Sequence, residues 1–165
     1  MPVTSVSSDP KTLSLTIVGE YPVKVERLWS AYADPRQLER FFGPPDYPAT
    51  FTRHDFVVGG LAQWEMKGPA GECYGGWWRF VAIEPHRRIE LNDGFSDTDG
   101  TPNTDVHGRM VLTFESTKTG SRVSVVSYYP NIEIMEQMVV GQSEGGRAAM
   151  EQLDAILAEP LAAKE

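Results

Sequence analysis

The segment that decides the fold is residues 130–158, which read PNIEIMEQMVVGQSEGGRAAMEQLDAILA. Pro130 and Asn131 end a strand-like segment, and apolar or small residues then recur at every third or fourth position. This spacing is typical of one face of an α-helix. The sequence therefore predicts one long C-terminal helix, to about Ala158, that packs on another layer through Ile132, Met135, Val139, Gln142, Gly146, Ala149, Leu153 and Leu157.

Three glycines, Gly141, Gly145 and Gly146, lie inside this predicted helix. Each costs about 1 kcal/mol relative to alanine, so a compensating role is expected. One explanation is that the helix backbone closely approaches a sheet at these positions. The other is a kink that lets the first half of the helix, with Met135 and Met138, move over a cavity mouth.

Two short helices are predicted near the start of the chain. Residues Thr12–Val18 alternate between apolar and polar, as a half-buried strand does, and the pattern from Val25 to Tyr32 then changes to helical spacing. Asp34, Pro35 and Gln37 provide an N-cap, a first-turn proline and a third-position Gln. A second short helix is therefore expected to begin at Pro35.

Six further strands are predicted, with Gly, Pro and Asp clusters between them, at Thr50–Val57, Leu61–Lys67, Glu72–Ile83, Arg88–Phe95, Val106–Glu115 and Arg122–Tyr129. The inward face of Glu72–Ile83 stays open, because Trp77 competes with Trp78 and Phe80. Such short connections favour a meander. The predicted fold class is α+β of the helix-grip type, in which a seven-stranded, curved, antiparallel sheet wraps around a long C-terminal helix and two short helices separate strands 1 and 2.

Composition limits the domain organisation and the partners. The 165 residues suit one domain, which we predict at residues 12–158, with flexible tails at 1–11 and 159–165. A net charge of −8 argues against nucleic acid as a partner, and no apolar run is long enough for membrane insertion. A single cysteine, Cys73, and the absence of a leader-like N-terminus favour a cytoplasmic location.

The sequence resembles a known family through residues spread over most of the chain. Those near the start are Val25-Glu26-Arg27-Leu28-Trp29, Ala33-Asp34-Pro35, Leu38 and Phe41-Phe42-Gly43-Pro44, and the likeness continues at Ile83–Ile89. These match landmarks of the activator-of-heat-shock-ATPase-like branch of the START-like (SRPBCC, birch-pollen-allergen-like) superfamily. The resemblance implies the helix-grip fold, and it suggests a ligand cavity or a chaperone partner. It carries no catalytic residue over, because the matching residues are caps, turns and core positions.

No catalytic motif, metal-ligand set or cofactor motif is found in the sequence. The three histidines lie far apart, and His107 with Asp105 is the one close pair of possible metal ligands, both expected to point outward. The one candidate catalytic residue is Asp93, which shares the inward parity of its strand. If Asp93 lies inside, it needs a partner such as Tyr128, Tyr129 or Arg79; the alternative is that Asp93-Gly94 forms a bulge that meets water.

A binding site is better supported than a reaction. Large apolar residues and methionines, which suit irregular contents, concentrate on the inward faces. The expected function is a cavity for an apolar or aromatic small molecule, with a chaperone-associated partner-binding domain and a cyclase-, aromatase- or hydrolase-type enzyme as alternatives. Homodimerisation is also possible on this pattern. The predicted cavity lining is Trp64, Met66, Trp78, Phe80, Leu91, Phe95, Met110, Leu112, Tyr129, Met135, Met138 and Val139.

Overall fold

The computed structural model describes residues 2–97 and 100–159. Its elements in chain order are β1 Val3–Asp9, β2 Ser14–Tyr21, α1 Val25–Ala33, α2 Pro35–Phe42, β3 Ala49–His54, β4 Leu61–Lys67, β5 Cys73–Glu84, β6 Arg88–Phe95, β7 Gly108–Ser116, β8 Ser121–Tyr128 and α3 Ile132–Leu157. The strands form one antiparallel sheet in the order β1-β2-β8-β7-β6-β5-β4-β3. The α+β helix-grip prediction is confirmed, with α3 against the sheet and α1 and α2 between β2 and β3.

The strand count is a correction, because the sheet has eight strands and seven were predicted. The additional strand β1 occupies most of the predicted N-terminal tail and pairs with β2, from Val3 opposite Gly19 to Asp9 opposite Ser14. Most of its side chains are exposed, so the segment has little of the apolar alternation that marks a half-buried strand. Backbone pairing with β2 makes it a strand. At the other end of the chain, residues 160–165 of the predicted C-terminal tail lie outside the described residues.

Side-chain caps begin the second and third helices, and the first of them is the cap predicted at Asp34. Asp34 accepts a hydrogen bond from the backbone N–H of Arg36 at 2.9 Å, and Asn131 accepts one from that of Ile134 at 2.9 Å. Gln37 does not complete a capping box, because its amide oxygen accepts from Arg27 Nη1 at 2.7 Å and not from the Asp34 backbone N–H, while its amide N–H donates to the Asp34 carboxylate at 3.0 Å. These caps fix where α2 and α3 start relative to the sheet.

Strand β5 presents Trp78 and Phe80 to the core, which answers the question that the sequence left open. Trp77 is also buried, but the alternation of the strand directs it to the opposite face. There its ring lies over Gly94, and its Nε1–H donates to the Asn103 carbonyl at 3.0 Å. A tryptophan buried on each face explains why parity alone could not decide the orientation of β5.

The C-terminal half of α3 is fixed tightly to the rest of the domain. Gln152 donates to the carbonyls of Phe41 at 3.3 Å and Gly43 at 2.7 Å, and the Tyr21 hydroxyl donates to the Met150 carbonyl at 2.9 Å. The buried residues of the helix are Met135, Met150, Leu153, Ile156 and Leu157, and four of these five lie in this half. Among the described residues, no helix is both long and apolar enough to cross a membrane.

The three helix glycines have different surroundings. A Cβ on Gly146 would lie 2.4 Å from Cδ1 of Ile17 on β2, which supports the close-approach explanation at this position. A Cβ on Gly145 would meet only Pro44, at 3.9 Å, and a Cβ on Gly141 would meet nothing within 4 Å. Gly146 therefore lets the helix contact the sheet, whereas Gly141 lies beside open space.

We predict opposite effects for alanine at the two ends of this glycine series. Gly141→Ala should stabilise the fold by about 1 kcal/mol, because it gains helix propensity without a clash. Gly146→Ala should lose most of that gain to contact with Ile17, and Gly146→Leu should destabilise by roughly 1–3 kcal/mol through overpacking. Urea unfolding followed by circular dichroism measures all three. Equal stabilisation by both alanines would contradict the close contact at Gly146.

Candidate functional site

A large cavity of about 990 Å³ lies between the concave face of the sheet and the N-terminal half of α3. Its walls come from β2, β4, β5, β6, β7 and β8 on one side and from α1, α2 and α3 on the other. The volume is at the upper end of the range typical of small-molecule sites. The cavity exists because α3 contacts the sheet at Gly146 but does not fill the space farther towards its start. There Met138 has a flexible side chain and Gly141 has none.

One wall of the cavity is an aromatic cluster centred on Phe42. Its ring packs edge-on against Phe51, Trp64 and Trp78, with centroid separations of 5.4, 5.1 and 5.2 Å. The Trp64 ring covers Gly76 of β5, since a Cβ on Gly76 would lie 2.1 Å from an atom of that ring. The buried Trp64 Nε1–H has no acceptor among the described residues. Interlocked rings of this kind make a rigid, apolar wall.

The mouth of the cavity has an apolar rim. Tyr74 on β5, Phe95 at the end of β6 and Val106 in the following loop all line the cavity, and each is more than half exposed, at 53%, 52% and 54%. Gly141 on α3 also lines the cavity and is exposed, with open space where a Cβ would be. Large exposed apolar side chains beside a cavity suit a binding entrance better than a closed core.

Ten of the twelve residues predicted to line a cavity do border it, and Met135 and Val139 do not. Met135 is buried in the core and Val139 packs against that core. Gln142 lies on nearly the same face of the helix as Met135 and does line the cavity, so the sequence predicted the inward face but not what each residue along it contacts. The ten that border the cavity are Trp64, Met66, Trp78, Phe80, Leu91, Phe95, Met110, Leu112, Tyr129 and Met138.

Asp93 also borders the cavity. It pairs in regular register with Trp78 and Gly108, and the irregularity between β5 and β6 lies elsewhere, between Phe80 and Ala82. The alternative of a bulge at Asp93-Gly94 is therefore wrong. Burial raises the pKa of Asp93 to about 6, with its own backbone N–H and nearby His107 acting in the opposite direction.

None of the three partners suggested for Asp93 binds its carboxylate. Arg79 is exposed and donates to the Gly59 carbonyl at 2.8 Å, and the Tyr128 ring lies under the Arg109 guanidinium at 4.1 Å. Burial raises the pKa of Tyr129 to about 12, and the charge of nearby Asp93 contributes to this rise. Its hydroxyl, however, donates to Gln142 Oε1 on α3 at 2.5 Å.

The polar side chains of the lining are few. Ser127 and Tyr129 belong to or follow β8, and Gln137 and Gln142 belong to α3. Asn103, Asp105 and His107 come from the loop before β7 and are exposed. Asp105 and His107 were expected to point outward, and the structure places them among the residues that line the cavity. In the part of the chain that is described, no three His, Cys, Asp or Glu residues form a group that could hold a metal ion.

Cys73 is not a packing residue of the core. It is exposed at the start of β5, with Sγ 3.7 Å from Glu65 Oε2. Cys73 begins the strand whose inward face the sequence left open. Alternation along that strand therefore could not place the Cys73 side chain.

Several lining residues were missed from the sequence. Gln142 was the one polar position on the predicted apolar face of α3, and this pattern was the available signal for a side chain directed inward. Phe41 and Phe42 belong to a short helix whose position over the sheet edge depends on tertiary packing, so no local pattern could assign them. The same holds for Val106 and the loop that carries it.

The sequence and the fold were compared with known proteins. Residues 22–158 match the profile of the family described as activator of Hsp90 ATPase homolog 1-like protein. No curated protein matches the chain. The match to the family covers six of the eight strands and all three helices, and β2 is the one element of the cavity wall that lies outside it.

Solved structures of the same fold include two with substantial sequence identity. Protein Ms6760 from Mycobacterium smegmatis is 41% identical, with 99% of each chain covered and a TM-score of 0.86. A protein from Arthrobacter aurescens is 42% identical, with 99% of this chain and 96% of that chain covered and a TM-score of 0.89. The AHSA1 protein from Silicibacter pomeroyi is 20% identical, with 88% and 97% covered and a TM-score of 0.72, and it supports the fold alone. The chain belongs to the activator of Hsp90 ATPase homolog 1-like family, within the helix-grip superfamily.

Proposed function

We propose that this domain binds one apolar or aromatic small molecule in the cavity between the sheet and α3. The observation that carries the proposal is the cavity itself, about 990 Å³ in volume and lined mainly by aromatic and aliphatic side chains. Protein interiors pack as densely as organic crystals, so a core that served only to hold the fold together would not leave an empty space of this size. The few polar groups along one side would orient the ligand.

The main alternative is a domain that binds a chaperone partner, as the family description suggests. A partner-binding domain needs a continuous surface patch. Here the exposed aromatic side chains, Tyr74 and Phe95, border the cavity mouth, and Val57 and Val58 lie apart from them on the β3–β4 connection. The position of the aromatic residues supports a ligand entrance more than a separate docking face.

An enzyme on this scaffold has less support. A nucleophile or general base needs a second group within hydrogen-bonding reach to activate or orient it. Asp93 has no such group, and the Tyr129 hydroxyl is engaged with Gln142. The cytoplasmic location and homodimerisation stay predictions.

A binding experiment tests the proposal. Native mass spectrometry of the protein purified from its host, before and after denaturation, should detect a bound small molecule or an empty protein that accepts Nile red, a neutral apolar dye. Stimulation of a heat-shock ATPase is the parallel assay for the alternative. An empty protein that binds neither Nile red nor any member of a lipid and polyketide panel would contradict the proposal.

A large side chain at the mouth should block binding. Gly141→Phe places a ring in the open space at the rim, so Nile red affinity should fall by about tenfold or more, since a lost contact of 1.4 kcal/mol already has that effect. Val140→Phe is the matched control, because Val140 is 67% exposed on the same helix and does not line the cavity. Fluorescence titration measures both, with circular dichroism as the check on folding. Equal affinities for the two variants would place the dye elsewhere.

A further inference from the structure

The cavity has an uneven charge. Among the described residues that line it, the ionisable groups are Asp93, Asp105, His107 and several tyrosines, and neither Lys nor Arg is present. The nearest guanidinium on the polar side, that of Arg109, stacks on Tyr128 and pairs with Glu90 at 3.7 Å. The whole chain carries a net charge of −8. An anionic ligand would therefore enter a site with no compensating cation and a repulsive field.

The Asp93 carboxylate is an acidic group of the lining that the protein leaves without a hydrogen-bonding partner from another residue. Within residues 2–97 and 100–159, its carboxylate makes no hydrogen bond or ion pair to another residue. Its own backbone N–H bonds to it, and His107 is near enough to lower its pKa through charge alone. The absence of a side chain at Gly108 leaves room for this carboxylate, because a Cβ there would lie 3.0 Å from Asp93 Oδ1. A carboxylate held in an apolar cavity without a partner is costly, and an added cation removes that cost.

We propose that the ligand carries a basic amine and that this amine pairs with the Asp93 carboxylate while the apolar remainder fills the cavity. The inference rests on the proposed binding function and defines its ligand class. Tyr129 and Gln142, joined by their hydrogen bond, flank the polar side and give an ammonium group further oxygen acceptors. The aromatic wall around Phe42 and Trp64 accepts the apolar part.

A neutral ligand with a carbonyl group is the competing possibility. It would need protonated Asp93 as a hydrogen-bond donor, so its affinity would fall as the pH rises. An amine needs ionised Asp93, so its affinity would rise over the same interval. The direction of the pH dependence therefore separates the two chemistries.

Three probes with the same alkyl chain test the ligand class. Dodecylamine, dodecanol and dodecanoate each compete with Nile red on the wild-type protein below their micelle-forming concentrations. The amine should bind about tenfold or more tightly than the alcohol, as hydrogen bonds to charged groups are the stronger ones, and dodecanoate should bind weakest. Equal binding of the amine and alcohol would overturn the inference and leave the binding function intact. No binding of Nile red or any probe would count against the binding function itself.

A pair of variants assigns the preference to Asp93. Asp93→Asn should remove most of the advantage of dodecylamine over dodecanol and leave dodecanol affinity within about twofold, because the isosteric amide keeps the shape of the cavity. Asp46→Asn is the control, since Asp46 is exposed outside the lining and its replacement changes the net charge equally. A preference that survives in Asp93→Asn would contradict the assignment.

The pH dependence supplies a readout that does not need a variant. Because the pKa of Asp93 is about 6, dodecylamine affinity should rise by about tenfold between pH 5 and 7.5 as the carboxylate ionises. The other ionisable groups around Asp93 are Tyr129, Asp105 and His107, and His107→Gln tests whether the histidine causes the rise. A rise that disappears in His107→Gln, or a fall in the wild-type protein, would overturn the inference.

Asp93 should also make the empty protein less stable at neutral pH. Its pKa in the folded state is above its ordinary value, so the folded protein binds the proton more tightly and loses stability as pH rises from about 4 to 6. Asp93→Asn should lack this loss and have the higher melting temperature at pH 7. Thermal unfolding at pH 4 and pH 7 measures the difference. Parallel pH profiles for the two proteins would show that the carboxylate is not held in the cavity as described.

Discussion

The close contact between α3 and β2 at Gly146 is the constraint on which the rest of the structure depends. Without a side chain at this position, the helix reaches Ile17, and the following turns bury Met150 and Leu153 in the core. Hydrogen bonds from Tyr21 and Gln152 hold the same half of the helix against β2 and the end of α2. The contact sets the tilt and depth of the helix, which in turn decide how much space remains beneath its first half.

That space has the two properties that a selective ligand site needs. Aromatic rings from α2, β4 and β5 give a rigid apolar surface, whereas the polar side carries Asp93, Tyr129 and Gln142. The unpartnered carboxylate destabilises the empty protein, and a bound cation removes this destabilisation. Binding sites commonly reduce the stability of the empty fold in this way. The same fold can therefore serve different ligands in relatives by changing only a few inward positions.

The sequence predicted most of the fold because local chemistry marks its elements. Helical spacing identified α3, the Asp34 cap identified the start of α2, and alternation identified seven strands. Strand β1 was missed because its exposed serines carry no apolar pattern and its partner, β2, lies across a turn. The site was predicted less completely: strand parity placed Trp64 and Met110 on the inward face. Which residues on the inward face of α3 meet the core, as Met135 does, and which meet the cavity, as Gln142 does, depends on contacts distant in sequence.

The most direct test of the account uses the methionine methyl groups as local probes. In a carbon-13 methyl NMR spectrum of the protein titrated with dodecylamine, the signals of Met66, Met110 and Met138 report on the cavity, and that of Met135 reports on the closed core. The account predicts saturable shifts of the three cavity signals with little change at Met135. Shifts confined to Met135, or no saturable shift at any of the three cavity methionines, would contradict it.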